Sequence, residues 1–198
     1  MQALGPLVAI DVSSTAIKVA LSGFELFPSV LKKILVRHGI LEPDPSGELV
    51  FPENRWFPLD SWLSAFETIR CEVGPSALVQ LGTHILKNPK FPAGIKDVEG
   101  ALQSIDTAFH LSHRKSGVLM LDASSGKMLE GIGHYRCHRA SSAEKRVEVL
   151  SDTPYPCEID IGIVTAVARQ FAPRATVQHA NRGCRNAGSV VCSYGVGW

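Results

Sequence analysis

The sequence predicts one α+β domain, with helices in its N-terminal part and a mainly antiparallel sheet of about five strands in its C-terminal part. Apolar residues recur with the period of a helix as far as residue 113, and from residue 117 onward most alternate with the period of a strand. Only residues 158–172 return to the helical period. The 198 residues are 45% hydrophobic and 20% charged, which is ordinary for a globular domain.

Charge and cysteine content exclude several classes of function. The net charge is +1 and the basic residues are scattered, so we expect no nucleic-acid partner. No apolar run approaches the roughly 20 residues that a membrane helix needs, so we expect no membrane span. Five cysteines, an odd number, do not indicate a disulfide framework, and we therefore expect a reducing, cytoplasmic location.

Within the single domain of residues 1–198, three parts differ in pattern. Residues 1–27 include an apolar stretch, Leu4 to Phe27, that has no obvious place in the predicted core. An apolar segment without an intramolecular partner usually marks an interface, so this part is predicted to form a homodimer contact. Residues 28–113 form the helical part and residues 117–198 the sheet part.

The helical part contains four predicted helices, each with an apolar stripe and a proline or aspartate near its start. They run from Pro28 to His38, Asp60 to Arg70, Pro75 to Ile85, and Asp97 to Phe109. His110 and His113 lie at the end of the last helix. Because a helix C-terminus favours cations, the commoner expectation for both is a solvated position there.

The sheet part predicts the element order β-β-β-α-β-β. Its strands are Val118–Leu121, Met128–Arg139, Arg146–Leu150, Ala175–His179 and Val190–Trp198, and its helix is Glu158–Ala172. In the last strand every second residue is apolar, so Cys192 is predicted to point into the covered face.

Three of the five cysteines are predicted to meet in the C-terminal third. Cys157 begins the helix, Cys184 lies in the turn of the final hairpin, and Cys192 faces the core. Thiolates and imidazoles are the ligands that Zn²⁺ prefers, and His179 is the nearest candidate for a fourth ligand. Spacing alone leaves two interpretations open: a structural zinc site, or two buried cysteines and one free thiol.

The C-terminal two thirds of the chain resemble the 4-vinyl reductase domain family. The resemblance rests on a helix opened by cysteine, a following strand, and the pattern Cys-Arg-x-x-Gly-x-x-x-Cys-x-Tyr-x-Val-x-Trp from Cys184 to Trp198. This family includes sensory domains of phenol-responsive transcriptional activators, and shares its fold with TRAPP tethering subunits and heme nitric oxide/oxygen binding domains. In the phenol sensors three cysteines and a glutamate hold zinc. The glutamate position is Asn181 here, so the resemblance implies that His179 replaces it.

The resemblance also implies a ligand pocket. His110 and Tyr135 fall close to the histidine and tryptophan that contact phenol in the family's sensors, and both can hydrogen-bond to a ligand in an apolar cavity. The sequence has no recognisable catalytic motif, which favours a protein that is not an enzyme. The leading hypothesis is a sensory or regulatory module that binds a small apolar or aromatic molecule, carries structural zinc, and signals to an unidentified effector.

Two alternatives stay open. The segment from Tyr135 to Arg139 is similar to the Tyr-x-Ser-x-Arg motif with which heme gas-sensing domains hold the porphyrin propionates, although Cys137 replaces the serine. His110 precedes this segment roughly as the proximal heme ligand does, so the second hypothesis is a heme-dependent gas sensor. A fully packed interior would favour the third, a TRAPP-like scaffold or tethering subunit.

Overall fold

The computed structural model describes residues 10–22, 28–85, 94–141, 145–180 and 183–198. The helices of this part of the chain are α1 (Ser14–Leu21), α2 (Pro28–Arg37), α3 (Leu59–Glu72), α4 (Pro75–Ile85), α5 (Val98–Leu111) and α6 (Cys157–Phe171). The strands are β1 (Ile10–Ser13), β2 (Glu42–Pro43), β3 (Leu49–Val50), β4 (Trp56–Pro58), β5 (His113–Lys115), β6 (Val118–Leu119), β7 (Tyr135–Ser141), β8 (Arg146–Ser151), β9 (Thr176–His179) and β10 (Cys192–Gly197).

A C-terminal antiparallel sheet has the strand order β7-β8-β10-β9. Helix α6 connects β8 to β9, and its apolar face packs against the sheet and against α4 and α5. Alternate residues of β10 are buried, as its sequence pattern predicts, and Cys192, Tyr194 and Val196 form the covered face. This sheet is the platform for the C-terminal cysteine cluster.

A second antiparallel sheet has the order β4-β1-β5-β6, and β2 pairs with β3 in a separate hairpin. Strand β1 lies in the middle, where Val12 stands opposite Phe57 on one side and His113 on the other. All three side chains are buried. This sheet therefore carries His113 into the interior directly after α5 ends.

Helices α4 and α6 cross at two glycines. A Cβ atom on Gly82 would lie 2.2 Å from the carbonyl oxygen of Ile159, and one on Gly162 would lie 2.2 Å from that of Val79. Any side chain at either position would force the two backbones apart, so the close crossing requires glycine on both helices.

The α+β class and the four N-terminal helices are confirmed, as are α6 and the final hairpin. The predicted five-stranded sheet is wrong in detail, because the described C-terminal sheet has four strands in the order β-β-α-β-β. The predicted strand Val118–Leu121 instead contributes β6 to the other sheet, since Ser116 and Gly117 adopt positive φ angles and turn the chain back onto β5. The predicted strand Met128–Arg139 begins only at Tyr135, after two glycines with positive φ.

The expectation that the N-terminal stretch has no place in the core does not hold for residues 10–22. Val12, Ile17 and Ala20 are almost fully buried and belong to the main hydrophobic core. Residues 1–9 and 23–27 of the predicted dimerisation segment lie outside the described residues, and the dimer itself stays a prediction. Among the helices described, none is long and apolar enough to cross a membrane.

Candidate functional site

An apolar cavity of about 430 Å³ lies between α1, α5 and α6. Large apolar side chains form most of its wall: Val19, Trp56, Trp62, Ile105, Phe109 and Ile163. Polar groups are few and include the hydroxyls of Ser13 and Thr15, the imidazole of His113, and Tyr135. Its size and composition are those of a small-molecule site. The described residues therefore do not form the fully packed interior that we expect of a scaffold subunit.

His113 is the imidazole in the cavity wall, and its side chain is buried. Its Nδ1 lies 2.7 Å from the carbonyl oxygen of Phe109, and its Nε2 lies 3.0 Å from the hydroxyl of Tyr155. Because a carbonyl can only accept, Nδ1 carries the proton and Nε2 accepts from Tyr155. Burial lowers the pKa of His113 to about 4, so the ring is neutral near pH 7.

The expectation that His110 and His113 are solvated at the end of the helix is wrong, because both side chains are buried. His110 does not line the cavity. Its Nδ1 bonds to the carbonyl oxygen of Asp106 at 2.9 Å, and its buried Nε2 has no hydrogen-bond partner among the described residues. Tyr135 does line the cavity, and its backbone N–H donates to the Asp106 carboxylate. The two predicted ligand-binding residues thus meet at Asp106, and only Tyr135 faces the cavity.

The segment that resembles a propionate-binding motif is not gathered around the cavity. Of its three key positions only Tyr135 reaches the wall, and its hydroxyl donates to Asp160 at 2.6 Å. Arg139 forms an ion pair with Glu99 at 2.9 Å. Burial raises the pKa of Cys137 to about 12, so this thiol is protonated.

Behind Tyr135 lies a buried carboxylate that the sequence analysis missed. Asp160 on α6 also accepts hydrogen bonds from Ser151 at 2.8 Å, Tyr194 at 3.2 Å and the Arg185 guanidinium at 2.5 Å. Burial raises its pKa to about 6, although the charge of Arg185 opposes the shift. One signal was available in the sequence: Asp160 is the single charged residue of an otherwise apolar run from Ile159 to Ile163. The network joins the cavity wall to the cysteine cluster.

The structure brings together all four residues of the predicted zinc site. Ligand atoms of Cys157, His179, Cys184 and Cys192 lie within 4.8 Å of one another. The sulfur of Cys157 is 3.1 Å from that of Cys192 and 3.6 Å from that of Cys184. The hydrogen bond from Cys157, together with the backbone N–H of Arg185, holds the pKa of Cys192 well below its usual value. A thiolate in this position suits a metal ligand set.

No protein-family model matches the chain, and no curated protein matches its sequence. Solved structures do match its fold. An H-NOX protein from S. oneidensis in the Fe(II)NO ligation state has a TM-score of 0.61 at 13% identity, covering 93% of this chain and 97% of that one. An unliganded Fe(II) H-NOX mutant from K. algicida has a TM-score of 0.60 at 11% identity, covering 93% and 95%. An oxygen-binding H-NOX domain related to soluble guanylate cyclases has a TM-score of 0.57 at 18% identity, covering 92% and 90%.

The fold is therefore that of H-NOX domains along nearly the whole chain. One of these neighbours has nitric oxide on Fe(II) and another binds oxygen, and a further matched structure concerns heme distortion in the H-NOX family. They match the alternative of a heme-dependent gas sensor. The leading hypothesis, a sensory module for an apolar or aromatic ligand, is contradicted by them. The relationship to 4-vinyl reductase domains remains only a resemblance, and these structures do not test the predicted zinc.

Proposed function

We propose that this chain is a heme-dependent gas-sensing domain, with heme in the apolar cavity and His113 as the residue that holds its iron. The observation that carries the proposal is a buried, neutral imidazole in the wall of an apolar cavity. The similarity of the fold to that of H-NOX domains also supports the proposal. Heme, when bound, supplies an iron centre that takes up a diatomic gas.

The residues of the cavity fit a porphyrin in two respects. Aromatic and aliphatic side chains form most of the wall, as an apolar ring system requires. His113 has the arrangement typical of a metal-ligating histidine, because Nδ1–H is fixed by the Phe109 carbonyl and Nε2 is unprotonated. The hydroxyl of Tyr155 now bonds to Nε2, so it must turn away when His113 binds iron.

The carboxylates of heme need polar or cationic partners, and these differ from the partners that the sequence suggested. Among the described residues, no arginine or lysine lines the cavity. The hydroxyls of Ser13 and Thr15 do, at the N-terminus of α1, where the helix dipole favours an anion. Nearby, Arg114 lies over the ring of the wall residue Trp56 at 4.9 Å and pairs with Asp11 at 2.6 Å. We therefore assign carboxylate binding to this end of α1 rather than to Arg139.

Heme titration of the purified chain tests the proposal. We expect a Soret band that saturates at one equivalent and shifts when nitric oxide is added to the reduced protein. His113→Gly should abolish the band, and added imidazole should restore it, because the free base can occupy the place of the missing ring. His84→Gly removes a histidine that does not line the cavity and serves as the matched control. Absence of a Soret band, or a band that His113→Gly leaves unchanged, would overturn the proposal.

We further propose that Cys157, His179, Cys184 and Cys192 bind a structural zinc ion. Their ligand atoms converge from α6, β9, the turn between β9 and β10, and β10. The buried Nε2 of His179 has no partner among the described residues, which a metal ion would supply. Four protein ligands leave no open position, so the ion would hold these elements together and take no part in gas binding.

A further inference from the structure

A second cluster of ligand-type side chains lies on the face of α5 that turns away from the cavity. Asp106 and His110 are one turn apart on the helix, and His134 reaches them from the segment before β7. One ligand atom from each of the three lies within 4.8 Å of the others. The two imidazole rings stack with centroids 4.8 Å apart. None of these residues belongs to the C-terminal cysteine cluster.

The hydrogen bonds of the two histidines leave one buried nitrogen of His110 without a partner and place both nitrogens of His134 on carboxylates. His110 donates from Nδ1 to the backbone oxygen of Asp106, and its Nε2 is buried without a partner. His134 has Nε2 on the Glu130 carboxylate at 3.1 Å and Nδ1 on the Asp106 carboxylate at 3.0 Å. A metal-ligating histidine normally has its other nitrogen held by a carbonyl or carboxylate, and both rings already have such a partner.

A bare, buried nitrogen also needs a physical explanation. His110 is fully buried, and a polar atom without a hydrogen bond in such a place is unfavourable because it has lost its water without gaining a partner. Native proteins leave few such atoms, and an ion is one common reason for an exception. Phe109, the neighbour of His110, contacts its ring edge-on and offers no acceptor or donor to it.

We propose that Asp106, His110 and His134 bind a divalent transition-metal ion at a site separate from both the cavity and the cysteine cluster. Two imidazoles and one carboxylate suit zinc, cobalt, nickel or ferrous iron, and they do not suit the all-oxygen preference of calcium or magnesium. Three protein ligands leave positions for water.

The site would join two elements that form the cavity. Asp106 and His110 belong to α5, which also contributes Phe109 to the cavity wall. His134 directly precedes Tyr135, another wall residue, so the ion would fix the distance between two sides of the cavity.

Cobalt binding to the metal-free, heme-free chain tests this site. Cobalt(II) bound to thiolates gives an intense near-ultraviolet charge-transfer band, whereas cobalt on nitrogen and oxygen ligands gives only weak visible bands. We expect equilibrium dialysis to show one more bound equivalent than the charge-transfer band accounts for. His134→Gln and His110→Asn should each remove that additional equivalent and leave the charge-transfer band unchanged, which also demonstrates that the variant is folded.

His138→Gln is the matched control, because His138 is an exposed histidine of β7 outside the cluster, and it should retain full cobalt binding. If His110→Asn does not fold, His134→Gln alone decides, since it changes a residue at the edge of the cluster. Two results would overturn the site: wild-type protein that binds no cobalt beyond the thiolate-bound equivalent, or an additional equivalent that persists in His134→Gln.

Discussion

Asp160 is a buried carboxylate, and its charged form is unfavourable because it is removed from water. It is fully buried, and four donors surround its carboxylate, of which the Arg185 guanidinium alone is charged. The pKa of Asp160 in the folded protein is about 6, above its ordinary value of 3.8. At a pH between these two values the folded protein keeps the carboxyl group protonated, whereas the unfolded chain has released the proton. Asp160 therefore contributes stability below pH about 4, and this contribution is lost as the pH rises through 6.

Arg185→Met should destabilise the protein by about 3–5 kcal/mol at pH 8, because it leaves the Asp160 carboxylate buried without a countercharge. The loss should shrink as the pH falls below 6, since Asp160 is then protonated in the folded wild-type protein as well. Urea unfolding of zinc-replete protein at several pH values measures both effects.

Arg136→Met is the control for Arg185→Met, since the Arg136–Asp152 pair is partly exposed to solvent and such pairs contribute at most about 1 kcal/mol. Equal losses for the two variants, or a loss in Arg185→Met that does not depend on pH, would contradict the assigned role of Asp160.

Sequence pattern predicted the convergence of the cysteine cluster better than the wall of the cavity. Cys157, Cys184 and Cys192 are chemically distinctive residues, and a motif resemblance connected them across the chain. The place of His113 in the cavity wall depends on its burial and on its bond to Tyr155, a partner 42 positions away, which no local pattern reveals. His110, at the same helix end, looked equivalent in sequence, yet it faces away from the cavity.

Among the secondary-structure elements, the long ones followed from sequence and the short ones did not. Helices α2 to α5 have clear stripes, and Asp97 caps α5 through its side chain as predicted. Strands β5 and β6 have three and two residues, and Val118 and Leu119 are both exposed, so no alternation indicates their pairing. The place of β1 between β4 and β5 did not follow from sequence, because the apolar stretch that contains Ile10 and Val12 also suits an interface.

Helices α4 and α6 cross so closely that neither Gly82 nor Gly162 has room for a side chain. Gly162→Ala would place a methyl group 2.2 Å from the Val79 carbonyl oxygen, so the helices must separate. We expect a loss of about 1–3 kcal/mol, the usual cost of forcing an additional carbon into a packed contact. The midpoint of urea unfolding measures it.

Gly94→Ala is the comparison for Gly162→Ala, since a Cβ atom on Gly94 would have no neighbour within 4 Å. It should change stability little. A Gly162→Ala variant as stable as the wild type would mean that the two helices do not cross as closely as the structure has them.

On the scale of the whole molecule, the core joins the N-terminal and C-terminal parts of the described chain. Ile17 of α1 and Val164 of α6 belong to one continuous cluster of buried side chains. The cavity lies inside this cluster, with walls from five helices and from strands of both larger sheets. Its position was not predictable from sequence, because its wall residues come from segments between Ser13 and Ile163 that no motif connects.

The cysteine cluster is not part of the cavity wall and should act on stability rather than on ligand binding. Cys184→Ser should remove most of the zinc from metal-replete protein. If free zinc exceeds the dissociation constant about 100-fold, the loss of binding removes roughly 2.7 kcal/mol, which lowers the melting temperature by roughly 5–10 °C for a chain of this length. Hydrogen exchange should accelerate in β9, β10 and the first turn of α6, because these elements supply the ligands, and should change little in α2 and α3.

Cys71→Ser is the matched control for this prediction, since Cys71 is exposed on α3 and lies outside the cluster. It should change neither zinc content nor melting temperature, and the heme titration should be the same in both variants because the cavity does not include Cys184 or Cys71. Near-stoichiometric zinc in Cys184→Ser would show that the ion binds elsewhere. Zinc below about a tenth of an equivalent in the wild type, where one tight site predicts nearly full occupancy, would show that the converging thiols are only packed against one another.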